Sequence, residues 1–81
     1  MTPRIEVLAV VPSLAVENCE ITLVWDHGHF ATMWGRAGRR LSRSDFVPCS
    51  PWAARGHYRD AELHGRLVAP FPRLKDGHGT L

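Results

Sequence analysis

The spacing of hydrophobic positions lays out the elements of this chain. Over residues 4–11, Ile5, Val7, Ala9 and Val11 fall on one side of an extended backbone, and Glu6, Leu8 and Val10 on the other. Alternation with apolar residues on both faces predicts a strand in the interior of a sheet rather than at its edge. Pro12 and Ser13 end it, and a connection runs to residue 18. Residues 20–26 and 29–35 are two more strand-like runs, separated only by His27 and Gly28. A two-residue loop with glycine second predicts a tight hairpin, although histidine is a poorer first residue than Asn or Asp. That loop sets a register: Asp26 opposite His29, Trp25 opposite Phe30, Leu23 opposite Thr32 and Ile21 opposite Trp34. The face carrying Trp25, Phe30, Leu23, Thr32, Ile21 and Trp34 is the expected core face; Val24, Ala31, Thr22 and Met33 share the other.

Residues 35–40 hold two glycines and three arginines and read as a loop. Residues 41–47 read either as a short fourth strand or as an irregular turn. The Pro48-Cys49-Ser50-Pro51 run is punctuation, and Ser50 as N-cap with Pro51 at the first helical position predicts a helix start. On a helical projection Trp52, Gly56, Leu63 and Leu67 share a stripe, with His57, Asp60 and His64 on one flank. Gly56 and Gly65 oppose a long helix, and residues 62–69 also alternate as a strand, so a helix over 51–60 followed by a strand over 62–69 is expected. The combined expectation is an α+β domain: an antiparallel sheet of three or four strands built on the 20–35 hairpin, with one short helix after Ser50. A small five-stranded β-barrel, with 41–47 joining the sheet, is the alternative. The compact domain is expected over 1–69, followed by an extended or disordered tail over 70–81.

Length and composition limit what such a domain can be. Eighty-one residues support one modest core. No run of apolar residues approaches a membrane span, and the first residues lack the pattern of a secretory signal, so no membrane association and a cytoplasmic location are expected. Two cysteines thirty residues apart, Cys19 and Cys49, do not make a disulfide framework and are read as reduced thiols. The net charge of +2 is far from that of a dedicated nucleic-acid binder. Its distribution is more informative: every cation but Lys75 is arginine, and Arg36, Arg39, Arg40 and Arg43 fall in one acid-free stretch. Arginine suits bidentate contact with carboxylate or phosphate and stacking on aromatic rings.

Candidate chemistries are sparse. Five histidines and two cysteines lack metal-ligand spacing; the one arrangement worth testing is His57, Asp60 and His64 on a helical flank, and no metal or other cofactor is expected. Cys49, just before a helix start, is placed where the helix dipole lowers a thiol pKa, with His57 as a conceivable base. No glycine-rich phosphate loop, nucleophile elbow or paired-carboxylate motif accompanies it, so no enzyme is expected. The expected function is that of a small non-enzymatic binding or inhibitor protein that occupies a protein or nucleoprotein surface. Arg36, Arg39, Arg40, Arg43, Arg55, Arg59, Trp34 and Trp52 are the expected contact residues. Exposed strand edges would add to that surface. Direct nucleic-acid binding through the arginines of 36–43 is the alternative. Short, motif-free, single-domain chains of this composition are typical of phage and mobile-element accessory proteins, anti-CRISPR inhibitors of host defence among them. No particular residue carries that last expectation.

Overall fold

The computed structural model describes residues 5–73. The hairpin forms with the register its turn implies: β2 (Glu20–Asp26) pairs antiparallel with β3 (His29–Gly35), with Asp26 opposite His29 and Ile21 opposite Trp34. His27 and Gly28 have φ of 55° and 85°, the two left-handed residues of a type I′ turn. Histidine is tolerated there because its Nδ1–H donates to the neighbouring Asp26 carboxylate, a local bond that favours this conformation. Trp25 and Phe30 meet across the strands with ring centroids 4.7 Å apart, edge to face.

β1 (Ile5–Pro12) adds to β2 on the outside, and β4 (Val47–Cys49) adds to β3, giving one open four-stranded antiparallel sheet in the order β1-β2-β3-β4. The sheet does not close, so the barrel alternative is excluded. β1 lies at the edge and not in the interior. Its two apolar faces have a different cause: the register slips between Val7 and Ala9, leaving Leu8 as the extra residue of a β-bulge. The bulge breaks the simple alternation, so Ala9 and Val11 face the core with Leu8, while Val7 is opposite Val24 on the other face. The fourth strand forms across Pro48 and not over 41–47, where a single 3-10 turn (Arg43–Asp45) stands instead.

The helix α1 (Pro51–Leu63) starts as expected, with Ser50 Oγ accepting from the Ala53 N–H at 3.1 Å and Pro51 in the first turn. It runs three residues beyond the expected end. Gly65, with φ of 67°, acts as the terminator: its N–H bonds the Glu62 carbonyl, and the Arg66 N–H bonds the Ala61 carbonyl at 2.8 Å, the Schellman arrangement. The expected strand over 62–69 shrinks to one bridge, Leu67 to Ala9, because the residues before Gly65 satisfy their carbonyls within the helix.

α1 packs across the face bearing Ile21, Leu23 and Phe30, where Leu8, Ala9 and Val11 complete the core. It turns inward Ala54 and Ala61, both fully buried, with Tyr58 packed beside them. The expected stripe of Trp52, Gly56 and Leu63 faces solvent instead; Trp52 is 85% exposed and Leu63 76%. The sheet's own large side chains fill the interior, so a helix lying close on them contributes alanines. The opposite sheet face is buried at Val24, Ala31 and Met33. After α1 Phe71 returns to the core, stacked on Phe30 at 5.0 Å and edge-on to Tyr58 at 5.1 Å. The Tyr58 hydroxyl donates to the Ala69 carbonyl at 2.8 Å and fixes this return. The remainder of the expected tail, 74–81, and Arg4 at the start of the first expected strand lie outside the described residues.

Candidate interaction surface

The fold sorts the eight expected contact residues into a loop group of four and a helix group of three, with Trp34 apart from both. Arg36, Arg39, Arg40 and Arg43 belong to the connection from β3 to β4. Although this stretch has no acid of its own, the fold brings acids to it. Arg39 pairs with Asp45 at 2.9 Å, and Arg43 reaches Asp26 at 3.0 Å, at the end of β2 beside the hairpin turn. Arg43 and the His27 ring together hold the Asp26 carboxyl below the usual carboxylate range, the His27 hydrogen bond being the larger cause. Half the cluster is thus spent on internal clamps. Arg36 and Arg40 are exposed and hold no ion pair among the described residues. An Arg39→Glu change sets a carboxylate against Asp45, so Arg36 and Arg40 are the clean positions at which to probe the loop.

The helix gathers the second group. Trp52, Arg55, Gly56, Tyr58, Arg59 and Glu62 of α1, together with Phe71, line a shallow groove of about 440 Å³. The Arg55 guanidinium sits 5.4 Å from the centre of the Phe71 ring, a cation–π contact that holds one wall. Nothing lies within 4 Å of the position a Gly56 Cβ would take, so the groove floor is bare backbone open to an approaching group. Trp34 stands apart from the groove, 43% exposed, its indole N–H donating to Thr32 Oγ1 at 3.2 Å and its ring meeting His57 edge-on at 6.5 Å.

The strand edges offer less than expected. Pro48, in the middle of β4 opposite Ala31, has no N–H to give, and a proline there leaves its nitrogen toward the outside of the sheet. On β1 the Leu8 carbonyl already accepts from Val68 and Ala69, and the Val10 N–H donates to Arg66. Both edges are blunted against strand addition.

The remaining candidate chemistry is separated by the fold. Cys49 lines a second depression of about 470 Å³ with His29, Arg43 and Phe46. Burial pushes its thiol pKa up, the reverse of what a nucleophile needs. Cys19 and Cys49 are both unpaired. His57 faces Trp34, and His64 Nδ1 donates to the Asp60 carbonyl at 2.8 Å as a helix cap. Among the described residues no three His, Cys, Asp or Glu side chains converge as metal ligands. Nor is any helix among them long and apolar enough to cross a membrane.

Comparison with known proteins finds no matching family model, no similar curated protein and no similar solved structure.

Gly56 and Phe71 were not expected to belong to a site. Gly56 was legible only as a helix-weakening member of the Trp52 stripe, and Phe71 only as an aromatic between two prolines in the expected tail. Their position at one groove depends on how the chain returns after α1.

Proposed function

We propose that this chain is a non-enzymatic binding protein that acts by stoichiometric occupancy of a protein or nucleoprotein surface, through the outer face of α1. The observation that carries this reading is Trp52, a large aromatic side chain 85% exposed on an ordered helix. Burying it against a partner would recover roughly 2 kcal/mol or more that the isolated domain forgoes. Arg55 and Arg59 beside it are of the residue type that most often accompanies such anchors. The unpaired cysteines suit a reducing compartment, and the cytoplasm is the proposed setting. Small accessory proteins of phages and mobile elements include stoichiometric inhibitors of host defence, and partners of that class are the first to seek.

The test is affinity capture from the source organism with three baits: the unchanged protein, Trp52→Ala, and the double change Arg36→Glu with Arg40→Glu. Circular dichroism establishes that all three are folded. The reading expects a stoichiometric protein partner that the unchanged protein and the loop variant retain and Trp52→Ala loses. A partner kept by Trp52→Ala and lost by the loop variant moves the surface to 36–43. Capture of nucleic acid alone, falling steeply with salt, replaces the reading with direct nucleic-acid binding.

A further inference from the structure

We infer that the groove on α1 receives an acidic segment of a partner chain, with an apolar side chain seated on Gly56 against Trp52 and a carboxylate on Arg59. This rests on the reading of α1 as the binding face and adds the chemistry of its occupant.

Three observations lead to it. The first is the shape of the groove. Trp52 and Arg59 lie about one helical turn to either side of Gly56 along α1, and nothing stands within 4 Å of the position a Gly56 Cβ would take. A helix interior pays for glycine in stability, and here the missing side chain leaves the seat that an incoming side chain can fill.

The second is charge order along the helix. The first turn of α1 contains no acid and the last turn no base. Its arginines, 55 and 59, come before its acids, 60 and 62. That order runs against the helix dipole, which favours acids at the start and bases at the end. The positive end of the helix lies toward Trp52, both arginines line the same groove, and a negatively charged segment complements them.

The third is what the groove and the sheet exclude. Tracking a nucleic-acid backbone requires a row of cations. Here the lining holds two arginines, Arg55 lying against the Phe71 ring, together with the Glu62 carboxylate, which is not a row of cations. Main-chain strand addition is obstructed by Pro48 on one edge and by the Arg66 to Ala69 bonds on the other. Side-chain docking of a short segment is the remaining mode, and one apolar anchor with one adjacent carboxylate is all the groove provides for.

The experiment uses two probes on the full chain: a random peptide library displayed on phage, and a short oligothymidylate. The library is selected on the unchanged protein after depletion on Gly56→Leu, which fills the seat from a Cβ that meets no neighbour within 4 Å. Selected sequences are expected to place Asp or Glu next to Leu, Phe or Trp. A synthetic copy of the strongest should perturb the Trp52 indole N–H resonance, assigned by its disappearance in Trp52→Phe. Its affinity should fall about thirtyfold with Trp52→Ala, the loss usual for a hot-spot truncation. Arg59→Glu should weaken it, and Gly56→Leu should abolish binding with no loss of melting temperature. Selection of basic sequences, failure to enrich any sequence, or a peptide that ignores Gly56→Leu overturns the inference. So does oligothymidylate that perturbs Trp52 more strongly than the peptide at equal salt. If the inference fails while Trp52→Ala still loses the captured protein partner, the binding face stands and only the chemistry of its occupant is wrong.

Discussion

Removal of the Phe71 ring tests whether the chain beyond residue 69 belongs to the folded body. Phe71 has three ring-scale contacts: a stack on Phe30 at 5.0 Å, an edge contact with Tyr58 at 5.1 Å, and the Arg55 guanidinium at 5.4 Å. Truncating a fully buried phenylalanine to alanine costs about 3–5 kcal/mol. Phe71 is half-buried, so the transfer and cavity contributions scale to about 2 kcal/mol, and the ring contacts are part of that loss and not additions to it. A domain of this size holds roughly 4–12 kcal/mol in total. Phe71→Ala should therefore stay folded but lose a large share of its stability. In urea unfolding followed by circular dichroism, the midpoint should fall by the equivalent of about 2 kcal/mol with an unchanged slope. The melting temperature should drop by about 8–16 °C. Phe71→Leu, which keeps most of the apolar area, should lose less than about 1.5 kcal/mol. A Phe71→Ala loss below about 0.5 kcal/mol, the scale of an ordinary surface change, would refute the packing argument.

Other expectations follow from the same geometry. Gly56→Ala should raise stability by about 1 kcal/mol, because the site is exposed, helical and free of neighbours within 4 Å; an unchanged or lower urea midpoint would count against it. Asp26 is held below its ordinary range, so its contribution is complete above the unfolded carboxylate value of about 3.9 and is lost as pH falls through the lower folded value. Asp26→Asn should accordingly be less stable at pH 6 and should lose less on acidification to pH 3, as read by urea midpoints at the two pH values; equal acid sensitivity would contradict the clamp. The Cys49 thiol, raised by burial, should be alkylated with a midpoint above that of a free cysteine, measured with Cys19 replaced by serine. A midpoint below neutral would reopen nucleophilic chemistry at that position.

How far the fold was legible depended on how local its cause was. The hairpin register follows from His27-Gly28, and the helix start from Ser50-Pro51, because a turn or a cap is decided within a few residues. The helix end was misread because Gly65 has two meanings. Inside a helix it is a cost, and one residue past the cap it is the preferred terminator; only the Ala61 and Glu62 carbonyl bonds distinguish them. Leu8 shows the same limit on β1, where a one-residue bulge reassigns the faces without leaving any mark in the hydrophobic pattern. The candidate surface was half legible. Trp52, Arg55 and Arg59 were recognisable by residue type, whereas the separation of Arg39 and Arg43 from a free cationic patch required Asp45 and Asp26 to be placed beside them.

By itself the sequence determined the α+β class, the hairpin and its register, the helix cap, and the concentration of arginine in one stretch, all properties of near neighbours. Tertiary structure decided which helix stripe is buried, which edges are open, and which charges are already paired. Those outcomes depend on segments distant in sequence competing for the same space and the same carboxylates. The sheet's large side chains occupy the interior, so α1 presents its alanines inward and leaves Trp52 in solvent. That displacement moves the proposed binding face from the arginine loop to the helix.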